Sequence, residues 1–371
     1  MVLLYVKLYN FRNYRQEDIA FQPGTNILYG KNGQGKTNIL ESLYYLALTK
    51  SFRTNNDQNL ILKQENFFRI QGDFVSNQGK KNTSSISYSL KEGKRLSFNQ
   101  RKVQKFTDYI GTVPVVLLAP SDLEISQGGP HRRRQFLDIM LSQSSKLYLH
   151  HLLQYRRSLK QRNVLLQQES LNRNELHAWE DSLVNNGSAL IIKRLEAVEK
   201  LDELIKQNFQ QMSMETEKVK TLYQSSIPYK SYHEINESFR IGLDKNLEKD
   251  LELKSTSIGP HRDDILFLIN GQPLRWIGSQ GEHKTFIISL KMAEYHYLQS
   301  MQNDLPLLLF DDIFAELDAD RITQMIESLK KIGQVFITTT SPNFFNKVKQ
   351  WEEGTSFYEI KQGRVMERTK L

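Results

Sequence analysis

Residues 28–41, which read LYGKNGQGKTNILE, combine the residue types and spacing of a phosphate-binding loop. They fit the pattern G-x-x-x-x-G-K-[ST], which begins at Gly30 and ends at Lys36 and Thr37. Backbone N–H groups of such a loop can surround a phosphate at a helix N-terminus, where the helix dipole favours anions. Lys36 would then reach the β- and γ-phosphates of ATP, and the Thr37 hydroxyl would ligate Mg²⁺. The predicted nucleotide-contacting residues are Gly30, Lys31, Asn32, Gly33, Gln34, Gly35, Lys36 and Thr37.

The segments on either side of this loop are those that nucleotide binding requires. Residues 27–29 form an apolar run that predicts a strand, and apolar residues recur at helical spacing through residues 39–47. An ordinary glycine-rich turn is the alternative, but it does not require a strand before it and a helix after it. The context therefore favours nucleotide binding.

Two adjacent carboxylates could supply the second anchor that a magnesium ion needs. Asp311 and Asp312 follow the apolar run LLLF at residues 307–310, which predicts a buried strand. We expect Asp311 to hold the metal through water and Asp312 to polarise the attacking water. The predicted catalytic residues are thus Lys36, Asp311 and Asp312, and the predicted metal ligands are Thr37 and Asp311. A solvated pair of aspartates at a strand end is the alternative.

The two halves of this site are far apart in the sequence, since Asp311 follows Gly30 by 281 residues (311 − 30). We therefore expect an insertion that splits the nucleotide-binding core. Residues 131–210 read as mainly helical, with two long runs that predict an antiparallel helical hairpin. The predicted organisation is an ATPase lobe formed by residues 1–125 and 256–371, with a mainly helical arm at residues 126–255.

A third anion site is predicted at the start of another helix. Ser279, Gln280 and Gly281 directly precede a long helical run, where a serine hydroxyl and free N–H groups can bind an anion. One γ-phosphate hardly needs two helix N-termini from the same chain. We therefore expect these residues to contact a nucleotide bound by a second copy of the protein. The alternative is that Ser279 is only a helix N-cap.

Composition limits the remaining possibilities. The 371 residues carry a formal net charge of +8, which suits a polyanionic partner, and the absence of cysteine excludes disulfides, zinc–thiolate sites and cysteine nucleophiles. No run approaches the roughly 18 apolar residues of a membrane span, and we expect no signal peptide. Basic residues that could contact DNA phosphates, or simply form a solvated face, are Arg132, Arg133, Arg134, Arg156, Arg157, Lys160 and Arg162.

Six further motifs occur in order along almost the whole chain: NFRNY at residues 10–14, KSFRT at 50–54, LAPSDLEISQGGPHRRRQFLD at 118–138, SIGPHRDD at 257–264, GSQGEHKT at 278–285 and LLLFDDIFAELDADR at 307–321. With the phosphate loop, they make the chain resemble the ABC-type ATPase heads of the SMC group and, within it, the RecF family of bacterial recombinational-repair ATPases. The resemblance implies an α/β fold, an ABC-type ATPase head with a mixed sheet and a P-loop, split by a helical arm insertion.

The resemblance also implies roles for individual residues. Lys36 and Thr37 match the Walker A pair, Asp311 matches the Walker B aspartate, and Asp312 stands where many ABC ATPases have a glutamate. Residues 279–281 match the signature motif, which in this class presses on ATP bound by the partner subunit. The further matches are Leu317 and Asp318 to the D-loop, Thr339 or Thr340 to the switch-histidine position, and Arg12 to a place near the nucleotide. His283 and Lys284 depart from the glutamine–arginine pair that we expect there.

The biology that the resemblance implies is DNA repair and replication in the cytoplasm, in response to DNA damage. ATP and Mg²⁺ would close a homodimer on DNA near single-strand gaps, RecR and RecO would help it to load RecA, and slow, DNA-stimulated hydrolysis would open it. A transporter ATPase is disfavoured, because the interval from Thr37 to Ser279 is 242 residues (279 − 37). The other alternative is a P-loop ATPase that acts as a protein scaffold without binding DNA directly.

Overall fold

The computed structural model describes residues 1–212, 217–312, 332–340 and 354–370, with only the backbone described for 367–370. The chain forms two compact units. Unit 1 contains Met1–Asp122 and Glu294–Leu371, and unit 2 contains Leu123–Ala293.

Strands and helices alternate irregularly along the described residues. The strands are β1 (Val2–Phe11), β2 (Tyr14–Ala20), β3 (Thr25–Tyr29), β4 (Phe67–Val75), β5 (Lys81–Ser89), β6 (Gly93–Phe98), β7 (Arg101–Lys102), β8 (Val115–Leu118), β9 (Val219–Gln224), β10 (Asp264–Ile269), β11 (Gln272–Pro273), β12 (Leu307–Phe310), β13 (Val335–Thr339), β14 (Thr355–Lys361) and β15 (Arg364–Lys370). The helices are α1 (Lys36–Leu48), α2 (Phe106–Tyr109), α3 (Leu123–Gln127), α4 (Pro130–Ser144), α5 (Lys146–Leu165), α6 (Arg173–Met212), α7 (Ile235–Lys245), α8 (Leu247–Leu253), α9 (Leu274–Ile277) and α10 (Gln280–Met301).

Unit 1 contains two six-stranded sheets of different kinds. The first has the order β2-β1-β4-β5-β6-β7 and is antiparallel throughout. The second has the order β15-β14-β3-β13-β12-β8 and is parallel except at β15. The runs VVLL in β8 and LLLF in β12 are fully buried, as expected for strands covered on both faces. The predicted α/β head with a mixed sheet is confirmed.

The strand order of the second sheet explains how distant segments of the chain meet. Strand β13 lies between β3 and β12, and all three run in the same direction. Their carboxyl ends therefore lie side by side at one edge of the sheet, which is where parallel α/β sheets bind ligands. The P-loop follows β3, and the two aspartates follow β12. The insertion of unit 2 between these strands in sequence does not separate them in the sheet.

Unit 2 consists of helices with a small sheet of order β11-β10-β9. Helices α5 and α6 form the predicted antiparallel hairpin, because contacts that advance along α5 retreat along α6: His151 bonds to Asn186 at 2.9 Å and Ser158 to Ser182 at 2.8 Å. Strand β9 pairs with β10 along its whole length. Residues 256–293 lie in unit 2, although the sequence predicted them to belong to the ATPase lobe. In the described part of the chain, no helix is both long and apolar enough to cross a membrane.

Candidate functional site

The P-loop forms a tight turn between β3 and α1 in unit 1. Gly30 and Gly35 have φ angles of 150° and 117°, in the region that only glycine adopts without strain. A Cβ atom at Gly35 would lie 2.7 Å from both the Tyr14 hydroxyl and the Asn13 amide nitrogen. Residues 31–33 are exposed, as a loop that receives a ligand from solvent must be.

Lys36 is buried at the start of α1, with 6% of its surface exposed. Its ammonium donates to the carbonyl oxygens of Gly30 at 2.6 Å and Lys31 at 3.0 Å. Burial lowers the pKa of this ammonium, and the negative charges of Asp312 and Asp311 oppose that shift. A phosphate in the loop would give this cation a stronger partner than the two carbonyls, because hydrogen bonds between charged groups are the stronger ones.

Thr37 and Asp311 meet across the carboxyl edge of the sheet. The Thr37 hydroxyl donates to Asp311 Oδ1 at 2.8 Å, and the Thr338 hydroxyl donates to the same oxygen at 2.8 Å. Among the described residues, no cluster of three or more histidine or carboxylate side chains could hold a metal by itself. That is the usual situation for Mg²⁺, which binds one or two protein oxygens and takes the rest from phosphate and water. The Thr37 and Asp311 oxygens fit this role.

Asp312 follows directly, in a backbone conformation that is uncommon for residues with a side chain. Its φ angle is 51°, which aspartate tolerates better than most residues. Its backbone N–H donates to the Thr338 hydroxyl at 2.9 Å, and the Gly30 N–H donates to the Thr339 carbonyl at 3.3 Å. Thr338 thus joins both aspartates to β13. Thr338 was not among the residues predicted from the sequence, which were Thr339 and Thr340 in the same ITTT run.

The signature residues lie in unit 2 at the start of α10, where Ser279 and Gln280 are exposed and Gly281 is half-buried. Ser279 caps the helix, because its hydroxyl accepts from the Glu282 N–H at 3.2 Å, and its own N–H donates to the Glu282 carboxylate at 2.5 Å. This bond lowers the pKa of the Glu282 carboxyl. The N-cap interpretation therefore describes this conformation, and contact with a second copy stays a prediction.

Two other residues from the motifs have roles inside the fold. Arg12 forms a two-pronged ion pair with the buried carboxylate of Glu41 on α1, at 2.8 and 2.7 Å, so it lies beside the P-loop helix. His283 is buried, and its Nδ1 bonds to the Ser126 hydroxyl at 2.9 Å. Burial lowers the pKa of this imidazole. The D-loop match, Leu317 and Asp318, lies outside the described residues.

The basic candidates of unit 2 divide into surface and interior residues. Arg133 is buried and pairs with both oxygens of Asp264, and Arg162 is fully buried between Glu180 and Asp250. Breaking such buried pairs typically costs about 3–5 kcal/mol, so these two arginines support the fold and cannot reach DNA. The prediction was wrong for them. The candidates that remain exposed are Arg132, Arg156, Arg157 and Lys160, and Arg134 is half-buried.

Known proteins resemble this chain over nearly its full length. Residues 2–363 match the family described as the RecF/RecN/SMC N-terminal domain. The chain is 37% identical over 369 residues to the DNA replication and repair protein RecF of Streptococcus gordonii, covering 98% of this chain and 100% of that protein. It also resembles solved structures of the recombination mediator protein RecF in the RecFOR pathway. The RecF-ATPrS structure has a TM-score of 0.90 at 32% identity, covering 98% of this chain and 97% of that one. The RecF-ATP structure has a TM-score of 0.89 at 32% identity, covering 100% and 97%.

Proposed function

This chain belongs to the RecF family of DNA replication and repair proteins, and from that premise we propose that it is an ATPase whose ATP-bound homodimer clamps DNA near single-strand gaps. Slow hydrolysis, stimulated by DNA, opens the dimer. RecR and RecO act with it, and RecA is loaded as a result. The RecFOR pathway in which its structural relatives are described supports the first two partners. The proposed location is the cytoplasm.

One observation carries the proposal: the hydrogen bond of 2.8 Å between Thr37 and Asp311, which joins residues 274 positions apart. A glycine-rich turn without a nucleotide has no need of a distant carboxylate next to its last threonine. An aspartate at the end of a strand is usually exposed to solvent, yet Asp311 is only 7% exposed. This arrangement supports a site in which the two oxygens act as ligands of a hydrated cation.

Each residue of the site then has a task in phosphoryl transfer. The loop N–H groups and Lys36 bind the β- and γ-phosphates and neutralise their charge. Thr37 and Asp311 would hold Mg²⁺, which would supply positive charge to stabilise the negative charge that develops during phosphoryl transfer. Asp312 orients the attacking water and draws its proton. Because both aspartates are fixed to Thr338, their spacing relative to the loop is set before ATP binds.

The position of the signature residues supports the proposed homodimer. Ser279 and Gln280 are exposed at the start of a helix of 22 residues, with the helix dipole behind them. A γ-phosphate already bound by one P-loop would be enclosed by this second N-terminus from the partner. Contact requires the Glu282 carboxylate to leave the Ser279 N–H, because the carboxylate and the phosphate are both anions at the same donor.

DNA binding is supported by charge. The formal net charge is +8, and unit 2 exposes Arg132, Arg156, Arg157 and Lys160. Such side chains neutralise backbone phosphates and read no sequence, so affinity should fall steeply with salt. We expect duplex DNA and gap junctions to bind without a preference for base sequence.

Measurement of molar mass in solution tests the proposal. We expect the protein to be a monomer with ADP and a dimer with ATPγS and Mg²⁺, and we expect the dimer to bind a gapped duplex at about 50 mM salt and to release it at about 200 mM. ATP turnover should rise when the duplex is added. A dimer that neither binds DNA nor is stimulated by it at low salt would instead indicate a protein scaffold. A protein that stays monomeric with ATPγS would contradict the clamp itself.

We expect Asp312→Asn to accumulate the ATP-bound dimer. The amide keeps the size of the carboxylate but cannot take a proton, so turnover should fall by about 10²–10⁴-fold while ATP binding is retained. Steady-state phosphate release and molar mass with ATP measure the two effects. The matched control is Asp108→Asn, the same change at an exposed aspartate on α2. Hydrolysis at the wild-type rate in Asp312→Asn would remove Asp312 from its assigned role.

A further inference from the structure

Asn13, in the turn between β1 and β2, contacts the end of the P-loop. Its amide nitrogen donates to the Gln34 carbonyl at 3.0 Å, and its amide oxygen accepts from the Asn38 side chain at 2.8 Å. One side chain thus spans the end of the loop and the first turn of α1. Asn13 belongs to the NFRNY motif, whose sequence alone predicts no role for this residue.

The turn between β14 and β15 holds the same loop residue. The Gly363 N–H donates to the Gln34 carbonyl at 3.0 Å, and the Gln362 N–H donates to the Gln34 side-chain oxygen at 2.7 Å. Gly363 has a φ angle of 71°, and a Cβ atom on it would collide with the Asn13 carbonyl. The two turns therefore pack against each other, and both form hydrogen bonds to Gln34.

Tyr14 holds the next residue of the loop. Its hydroxyl donates to the Gly35 carbonyl at 3.1 Å, and its side chain is fully buried. That carbonyl also accepts from the N–H groups of Asn38 and Ile39 at 3.0 and 3.2 Å. Two consecutive carbonyls of the loop are therefore fixed by side chains of the β1–β2 turn and of the first residue of β2.

Fixing these carbonyls fixes the N–H groups that matter for phosphate. The peptide bonds are trans and planar, so the C=O of one residue and the N–H of the next point in opposite directions. Because the Gln34 carbonyl points toward Asn13, the Gly35 N–H points away from Asn13. Because the Gly35 carbonyl points toward Tyr14, the Lys36 N–H points away from Tyr14. These are donors that a phosphate in the loop would use.

We infer that Asn13 is a positioning residue for the triphosphate: it holds residues 34–38 in the conformation that binds ATP and joins them to the β14–β15 turn. This inference rests on the proposed ATPase function. Asn13 touches no reacting atom in this role. Without the Asn13 side chain, Lys36, Asp311 and Asp312 stay in place, but the free loop is less ordered and must lose more conformational freedom when ATP binds. The lost free energy therefore weakens ATP binding and does not slow the chemical step.

The test is Asn13→Ala in the full-length protein, with binding of a fluorescent ATP analogue, KM and kcat for ATP turnover, and the midpoint of thermal unfolding measured together. We expect Kd and KM to rise about tenfold, the effect of roughly one hydrogen bond, with kcat within about twofold of wild type. Asn13→Asp keeps the acceptor for Asn38 but loses the donor to Gln34 and adds a negative charge near the phosphate. It should raise Kd further than alanine does.

Asn99→Ala is the matched control, since Asn99 is another turn asparagine of unit 1 that bonds to neighbouring strand residues, Thr83 and Asn82. We expect it to lower thermal stability at least as much and to leave Kd for nucleotide unchanged. Wild-type Kd in Asn13→Ala, or a rise in Kd that Asn99→Ala reproduces, would overturn the inference while leaving the ATPase proposal intact. A wild-type protein that binds no ATP would refute both.

Discussion

Replacing Lys36 with methionine should abolish the ATP-dependent dimer and lower ATP turnover by about 10²–10³-fold. A loss of this size is usual when one preorganised hydrogen-bond donor to a reacting group is removed. The physical reason is that the Lys36 ammonium is the buried cation of the P-loop and would lie against the β- and γ-phosphates. Methionine has a similar length and no charge. Molar mass with ATPγS and steady-state phosphate release measure the two losses.

We expect the same substitution to change the stability of the folded protein little. Burial lowers the pKa of this ammonium, so the site disfavours its charged form when no phosphate is present, while the loss of its bonds to the Gly30 and Lys31 carbonyls opposes that gain. The midpoint of thermal unfolding, measured beside turnover, separates a loss of ATP binding from a loss of the fold. Lys91→Met, the same change at an exposed lysine between β5 and β6, is the control and should dimerise normally. Normal dimerisation of Lys36→Met with ATP would contradict the phosphate-binding role of the loop.

The features that the sequence predicted well are those that local patterning determines. The apolar run before Gly30 and the helical spacing after it specify a strand, a turn and a helix from neighbouring residues alone. The run LLLF likewise specifies a buried strand that ends at Asp311. The large interval between these segments predicted a core that is split in the sequence. The strand order β3-β13-β12 shows how the two segments lie close together in one sheet.

The features that the sequence did not predict depend on partners far along the chain. Arg162 reads as one more basic residue of a charged helix, and the approach of Glu180 and Asp250, 18 and 88 residues later, makes it an interior residue. Thr338 is one of three identical neighbours, and its task depends on the position of β12 beside β13. The Gln34 carbonyl that Asn13 bonds also accepts from Gly363 of the distant β14–β15 turn, a partner that no local pattern predicts.

Ser279 has two possible tasks, and the structure supplies a way to separate them. In this conformation it caps α10, a contribution of typically about 1 kcal/mol that aspartate could also make. The proposed contact with the partner's γ-phosphate would be lost with aspartate, because a carboxylate and a phosphate repel each other. Capping alone therefore predicts that Ser279→Asp behaves like the wild type, whereas the phosphate contact predicts that it does not dimerise.

Ser279→Arg should block ATP-dependent dimerisation and leave ATP binding by the monomer unchanged. The serine is exposed, so the larger side chain is accommodated in the free protein and obstructs only a surface that a second copy approaches. We expect the dimer to be at least about 100-fold weaker, roughly the effect of losing one hot-spot contact. Sedimentation with ATPγS measures dimerisation, and titration of a fluorescent ATP analogue below the dimerisation range measures binding. Ser170→Arg, which adds the same charge to the exposed α5–α6 connection, should dimerise normally. If Ser279→Arg lost ATP affinity as a monomer, Ser279 would belong to the site of its own chain, and the assignment to the partner would be wrong.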